Sequence, residues 1–427
     1  MERVSKLTKR ILRWLLPWQV LHIVYRRHAL RYLKNLSVSI DPNRKTIVVL
    51  NHFFDQDVRA LSLANKDYNL VVIDTVTLFR GAKIFFDEDV RELHVPYDTA
   101  DPSLIARYRR ECELIFDHLR KEVNVSLIVT ASDIFYWVRE FIGVARDRGV
   151  KTVVLDKEGT LSPYDFEAEA RRIREFAPFM SDHIFVWSER QREFWNRIGV
   201  TDERISVIGQ PRSDLLHCEQ REEVDRLFHK AQPIVTLFSY MDDAYIPVKL
   251  IRSEGLKWEM KTETHDEFYR LAQVNPSYNF VIKTHPQQPD LVDLKRKYER
   301  DNLRVIGGSA VANELLQRSE LIIAFQTTAV IEAMLLKRRV VYTYWDKLVE
   351  RLKDDLLPFH RASGIVVSRS FEDFRNKCAS FFGGDSSVFE FTSESTAARD
   401  EFVNQYLHKP DGHVCDRFLE SVERFMS

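Results

Sequence analysis

From Lys45 onward, short runs of β-branched and other apolar residues alternate with longer stretches in which apolar positions recur every three or four residues. The short runs read as strands: TIVVL (46–50), NLVVIDT (69–75), VSLIVT (125–130), KTVVLD (151–156), HIFVWS (183–188) and ISVIG (205–209). Helical patterns separate them at 57–65, 103–122, 133–148, 165–178 and 189–197, with Leu104, Tyr108, Cys112, Ile115 and Leu119 marking one face of the second. The charged stretch 218–230 predicts a helical bridge. A second series follows: PIVTLFSY (233–240), NFVIKTH (279–285), NLRVIGG (302–308), ELIIAFQ (320–326) and RVVYTYW (339–345). Its helices are expected at 264–274, 290–300, 311–318 and 328–337, and a more polar helical tail runs over 371–427.

Apolar strands alternating with helices predict parallel sheets covered on both faces. A chain of 427 residues is also too long for one ordinary core. The expectation is an α/β protein with two tandem doubly wound domains, 43–228 and 229–370. A basic segment, 1–42, precedes them, and the tail 371–427 is free to cross back onto the first domain. Such sheets bind ligands at the carboxyl ends of their strands, and a pair of them places the ligand in the cleft between.

Composition narrows the partners. With 63 Lys and Arg against 64 Asp and Glu, nothing supports general nucleic-acid binding. The four cysteines lie far apart, which argues against a disulfide framework or a zinc knuckle and fits a reducing cytoplasm. Residues 1–36 carry nine basic residues against Glu2 alone, interleaved with Ile11, Leu12, Trp14, Leu15, Leu16 and Trp18. No run there approaches the roughly 20 apolar residues that span a bilayer. Pro17 and Gln19 interrupt the pattern expected of a signal peptide. Two readings stay open: peripheral attachment to the anionic inner face of the membrane through residues 1–36, or a helix docked on the protein's own body.

Four strand ends carry candidate chemistry. In VIKTHPQQPD, Pro286 restrains His285 to an extended backbone, and Lys283 projects to the same face, so a cation and an imidazole meet a phosphate together. In AFQTTAVIEA, Thr327 is placed as the N-cap, and Thr327 and Thr328 add hydroxyls to the free N–H groups of a helix start. Glu332, one turn in, is either a ribose acceptor or an ordinary surface acid. In VVLDKEGT, Gly159 allows a tight turn that exposes Glu158, a candidate general base. In VIGQPRSDLL, Arg212 follows a rigid Pro211 at the expected crossover and reaches toward the cleft. Earlier, LNHFFDQD places Asn51 and His52 after the first strand, with Asp55 and Asp57 beyond. No second histidine stands at ligand spacing, so a loop lining the acceptor side is favoured and no metal is expected. Neither a G-x-G-x-x-G loop nor a P-loop is present.

LDKEGT, FVWSERQREFWNRIGV, ISVIGQPRSDLL, VIKTHPQQPD, NELLQRSELIIAFQTTAVIEAMLLKRRVVYTY and LHKPDGHVCDRFLESV follow one another in chain order, and the likeness they carry extends over roughly residues 125–425. Together they resemble the bacterial surface-carbohydrate and capsule-polysaccharide glycosyltransferases of the GT-B fold, a group related to CMP-sugar-using Kdo and sialic acid transferases and to CDP-glycerol glycerophosphotransferases. The resemblance implies two Rossmann-like domains and a metal-independent transfer without cofactor. A sugar would pass from a nucleotide donor, a CMP-sugar favoured, to a hydroxyl of a lipid-linked glycan. It assigns the base to Glu158 and donor phosphate contacts to His285, Pro286, Thr327 and Thr328; the strand ends themselves add Lys283, Glu332 and Arg212 as further donor-side candidates. Lys157 departs from the pattern, standing where many relatives carry a second acid. A glycerophosphotransferase, a sugar-nucleotide epimerase on the same fold and a non-catalytic scaffold subunit of an export assembly remain the alternatives.

Overall fold

The computed structural model describes residues 18–34, 40–52, 54–79, 102–157, 159, 163–218, 222–286, 288–308 and 311–426. Two six-stranded sheets form the frame, and every strand pairing within them is parallel. The first contains β1 (Thr46–Asn51), β2 (Asn69–Asp74), β3 (Val125–Thr130), β4 (Lys151–Leu155), β5 (His183–Val186) and β6 (Ile205–Val207), in the order β2-β1-β3-β4-β5-β6. The second contains β7 (Ile234–Phe238), β8 (Asn279–Lys283), β9 (Leu303–Ile306), β10 (Ser319–Ala324), β11 (Arg339–Thr343) and β12 (Val366–Ser368), in the order β12-β11-β10-β7-β8-β9.

Strand geometry explains the continuous apolar runs. Successive side chains point to opposite faces, so a strand covered on both sides must be apolar throughout. Val48 and Leu50 enter one core with the helices Pro102–Glu122 and Tyr136–Asp147, while Ile47 and Val49 enter another with the helix Asp55–Ala64. In the second domain Ile234 and Phe238 face one core and Val235 and Leu237 the other.

The chain crosses between the sheets twice. The first crossing is the 3-10 helix Pro211–His217, held to the second domain by Gln317, whose Nε2 donates to the carbonyls of Leu215, Leu216 and Cys218. Of the bridge expected at 218–230, only Glu222–Asp225 is helical among the described residues, because its charged residues leave no apolar stripe long enough to bury. The expected tail is divided. Phe374, Cys378 and Phe381 pack into the second domain, and Val403, Tyr406 and Leu407 join its other core. The helix Val414–Val422 returns to the first domain, where Val414, Phe418 and Val422 complete the core under β1 and β3. Asp214 caps that returning helix by accepting the backbone N–H groups of Val414 (3.1 Å) and Cys415 (2.7 Å).

At the other end, the helix Trp18–Lys34 docks on the first domain rather than standing free. Tyr25, Ala29 and Leu33 are buried in the core that contains Tyr108, Cys112 and Ile115, and Arg26 forms two hydrogen bonds to Glu111 at 2.9 and 2.7 Å. Tyr25, Ala29 and Leu33 are therefore spent inside the protein, while Ile23 stays exposed. Residues 1–17 of the basic segment lie outside the described residues. No described helix is long and apolar enough to cross a membrane.

Candidate functional site in the interdomain cleft

The carboxyl ends of the two sheets face each other across a cleft of about 460 Å3. Its walls bring together residues far apart in the chain: Arg212, Lys283, His285, Pro286, Thr327, Thr328 and Glu332, with Asp55, Asp57 and Lys157 from the first domain.

Lys283 ends β8 and is only 4 % exposed. Its Nζ donates to the Thr284 carbonyl at 2.8 Å, and no carboxylate lies within ion-pair distance among the described residues. Burial lowers its pKa to about 8, because an ammonium loses hydration there.

The loop carrying His285 is fixed from behind. Gln288 Oε1 accepts the His285 N–H (3.1 Å), and Gln288 Nε2 donates to Ser239 Oγ (2.9 Å). Ser239 also bonds His265 Nε2 at 3.0 Å, while His265 Nδ1 lies 2.6 Å from the Lys261 carbonyl. Burial pushes His265 down to about 4, so the ring is neutral. Its Nδ1–H must then donate to the carbonyl, leaving Nε2 to accept from the serine. Lys261 bridges Asp242 (2.6 Å) and Asp290 (2.9 Å), and no metal-binding cluster occurs among the described residues.

The helix after β10 starts one residue later than expected. It spans Ala329–Leu335 with Thr328 at the N-cap, and no side chain caps it there. Thr327 Oγ1 instead accepts the Ala329 N–H at 3.3 Å. Before it, Gln326 adopts φ 45°, an uncommon conformation for a residue with a Cβ. Three hydrogen bonds hold it: Nε2 to Tyr342 Oη (2.7 Å) and the Leu357 carbonyl (2.9 Å), and Oε1 from the Leu357 N–H (2.9 Å). Tyr245, at φ 60°, also lines the cleft. Backbone strain of this kind collects where ligands bind.

Glu332 is not a surface acid. It is 5 % exposed, and its Oε1 accepts from Gln210 Nε2 (3.1 Å) and Arg212 Nε (3.2 Å). Arg212 also donates its backbone N–H to Asp57 Oδ1 (3.2 Å), lies 3.6 Å from Asp57 Oδ2 through its guanidinium, and stacks 4.6 Å above Trp187. Two carboxylates thus share one guanidinium. Burial, opposed in part by Arg212, pushes the Asp57 carboxyl up to about 6.

Glu158 lies outside the described residues. Its neighbours are informative. Lys157 lines the cleft, and Gly159 lies so close to the Trp187 ring that a Cβ would collide with it. Close approach to Trp187, rather than a left-handed turn, is what requires the glycine. The acceptor-side candidates Asn51 and His52 do not line the cleft. Asn51 Nδ2 donates to Asp55 Oδ1 at 2.7 Å, and the His52 ring packs 4.6 Å from Trp137 and 5.5 Å from Phe135. Burial, with Lys157 adding to it, lowers His52 to about 4. The residues of that loop that reach the cleft are Asp55, Gln56 and Asp57. Gln210 also escaped the pattern, although it stands two residues before Arg212 and shares its partner.

Comparison with solved structures places this architecture. S. aureus MnaA in its UDP co-structure aligns with a TM-score of 0.51 at 12 % identity, covering 90 % of this chain and 97 % of that one. A putative UDP-N-acetylglucosamine 2-epimerase from Listeria monocytogenes gives 0.52 at 12 % identity, covering 89 % and 95 %. A further UDP-N-acetylglucosamine 2-epimerase gives 0.53 at 12 % identity, covering 90 % and 96 %. The chain has a GT-B-like fold. No protein-family model matches it, and no curated protein does. At this identity the likeness speaks for the fold alone.

Proposed function

We propose that the interdomain cleft binds a nucleotide-activated sugar and that the chain is an enzyme acting on it. The observation that carries this reading is Lys283, a buried ammonium without a carboxylate partner among the described residues, opening onto a cleft. An uncompensated buried cation is costly, and an incoming phosphate offsets that cost. His285, Thr327 and Thr328 stand on the same wall to share the phosphate, which leaves the sugar facing Asp55, Asp57 and Lys157. The UDP bound by MnaA, on the same fold, supports a nucleotide in this cleft.

Epimerisation of the sugar on its nucleotide is the reaction favoured by the comparisons, since the neighbours named for it align over nearly their whole length. Where inversion runs through the proton route, the ring hydrogen leaves as a proton, its electron pair is held within the sugar nucleotide, and a proton returns to the other face of the same carbon. A carboxyl titrating near neutral pH, as Asp57 does, suits such an exchange. The second reading is transfer to an acceptor hydroxyl, with Glu158 as base and a lipid-linked glycan as acceptor. The ordered motifs between 155 and 422 favour it.

One experiment separates them. The protein is incubated with UDP-N-acetylglucosamine and with a CMP-linked sugar in deuterium oxide and followed by proton NMR. Epimerisation replaces a ring hydrogen with deuterium and releases no nucleotide. Transfer releases nucleotide only when an acceptor is supplied and leaves the ring hydrogens in place. A ligand at a hundred times its Kd adds about 2.7 kcal/mol of stability, so a melting temperature unmoved by UDP, CMP, CDP and GDP would overturn the binding claim itself.

A further inference from the structure

We propose that the outward face of the Trp18–Lys34 helix docks on the surface of an anionic lipid bilayer. The helix divides its residues cleanly. Tyr25, Ala29 and Leu33 go into the core, and Arg26 pairs with Glu111. On the opposite side, Ile23, Arg27, Arg31 and Lys34 follow one another at helical spacing, all exposed, Ile23 to 46 %. Among the described residues no acid pairs with Arg27, Arg31 or Lys34. Some exposed cations elsewhere find partners, as in Arg351–Glu254 (2.7 Å) and Lys347–Glu259 (2.8 Å), and others such as Lys257 and Lys295 stand singly among the described residues; what sets this helix apart is three such cations on one face.

The charge of the whole chain gives this stripe its meaning. Residues 1–36 hold nine basic residues and one acid, so the remainder has 54 basic (63 less nine) against 63 acidic (64 less one). An anionic surface repels that body and attracts the stripe, which selects a single orientation. A bilayer is favoured over nucleic acid because the basic sequence is mixed with Ile23 and, upstream, with Trp14, Leu15, Leu16 and Trp18, residues suited to a headgroup layer.

The helix also packs at the carboxyl end of the edge strand β2. Tyr32 Oη accepts the Asp74 N–H at the end of β2 (2.8 Å), and His28 Nε2 lies 3.1 Å from the Thr77 carbonyl. That carboxyl edge of the sheet also carries Asp55 and Asp57 of the cleft. Docking here brings the cleft mouth toward the bilayer, within reach of an amphiphilic co-substrate.

The test is co-sedimentation of the full chain with phosphatidylcholine vesicles, with and without phosphatidylglycerol. Binding is expected only with the anionic lipid and should weaken as salt rises. The triple variant Arg27→Glu, Arg31→Glu, Lys34→Glu should lose affinity by on the order of a hundredfold or more, given the contribution of each cation near such a surface. The same three reversals at exposed Lys257, Lys295 and Lys409 should not, and Arg27→Lys with Arg31→Lys should retain binding. Circular dichroism and melting temperature verify that the variants fold. Equal binding to both vesicle types, unchanged binding by the triple variant, or binding to DNA but not to vesicles would each overturn the proposal.

Discussion

Asp57 Oδ1 accepts the backbone N–H of Arg212 at 3.2 Å, and Asp57 Oδ2 stands 3.6 Å from the same residue's guanidinium, so one acid of the first domain grips the interdomain crossover twice. Glu332 holds that guanidinium from the second domain at 3.2 Å. Asp57 is 2 % exposed and its pKa is raised from 3.8 to about 6, mainly by burial. The folded state therefore keeps a proton that the unfolded chain has released, and the stability this gives at low pH is lost as pH rises through about 6. Asp57→Asn cannot ionise. Relative to wild type, it should gain on the order of 3 kcal/mol between pH 4 and pH 7 in urea titrations. A pH-independent difference would remove Asp57 from this role.

Lys283 works in the opposite sense. Its folded pKa of about 8, against 10.5 for an exposed lysine, means that the folded state sheds a proton early. A bound phosphate restores the charged form. Nucleotide binding above pH 8 should take up a proton, seen as a buffer-dependent enthalpy in calorimetry, and affinity should fall toward tenfold per pH unit there. Lys283→Met should abolish that pH dependence and weaken binding by about ten- to a hundredfold, the worth of a hydrogen bond to a charged group. Because the variant removes an unpaired buried charge, its melting temperature should not drop.

Gly159 meets the Trp187 ring on which Arg212 also lies. Gly159→Ala forces an overpacked contact, with an expected cost of about 1–3 kcal/mol. Displacement of Trp187 should also disturb Arg212, so nucleotide affinity and tryptophan fluorescence should change together. A stable variant with unchanged fluorescence would refute the contact.

Gln326 holds both polar groups of Leu357 in a buried setting. Gln326→Ala strands the Leu357 N–H and carbonyl, at about 1–3 kcal/mol for each unsatisfied group. Gln326→Gly leaves the same groups unpaired but tolerates φ 45° without strain, so it should destabilise less than expected for a glycine substitution. Denaturant midpoints of the pair measure the strain directly.

The strands were legible because a parallel strand covered on both faces cannot hide: TIVVL and Thr46–Asn51 differ by one residue. Their ends were legible for the same reason, which is how Arg212, Lys283, His285, Pro286, Thr327, Thr328 and Glu332 could be named from the sequence. The rest depended on distant contacts. His52 reads as an open loop residue until Phe135 and Trp137 fold against it. Asp57 and Arg212 are 155 residues apart, and no local pattern links them. The short helices Val248–Glu254 and Lys347–Leu352 carry too few turns to show a period. The single-residue shift at Thr327 reflects a hydroxyl bonding two residues ahead, an alternative open to any threonine in such a turn.

The returning helix Val414–Val422 has a consequence for how the molecule comes into being. Ile47, Val49, Leu127 and Val129 are made early, yet Val414, Phe418 and Val422 finish the core around them. During synthesis the domain translated first stays open on one side until the residues made some 290 positions after β3 emerge, well after the second domain has been threaded out. No single cut can then separate the two halves as intact folding units.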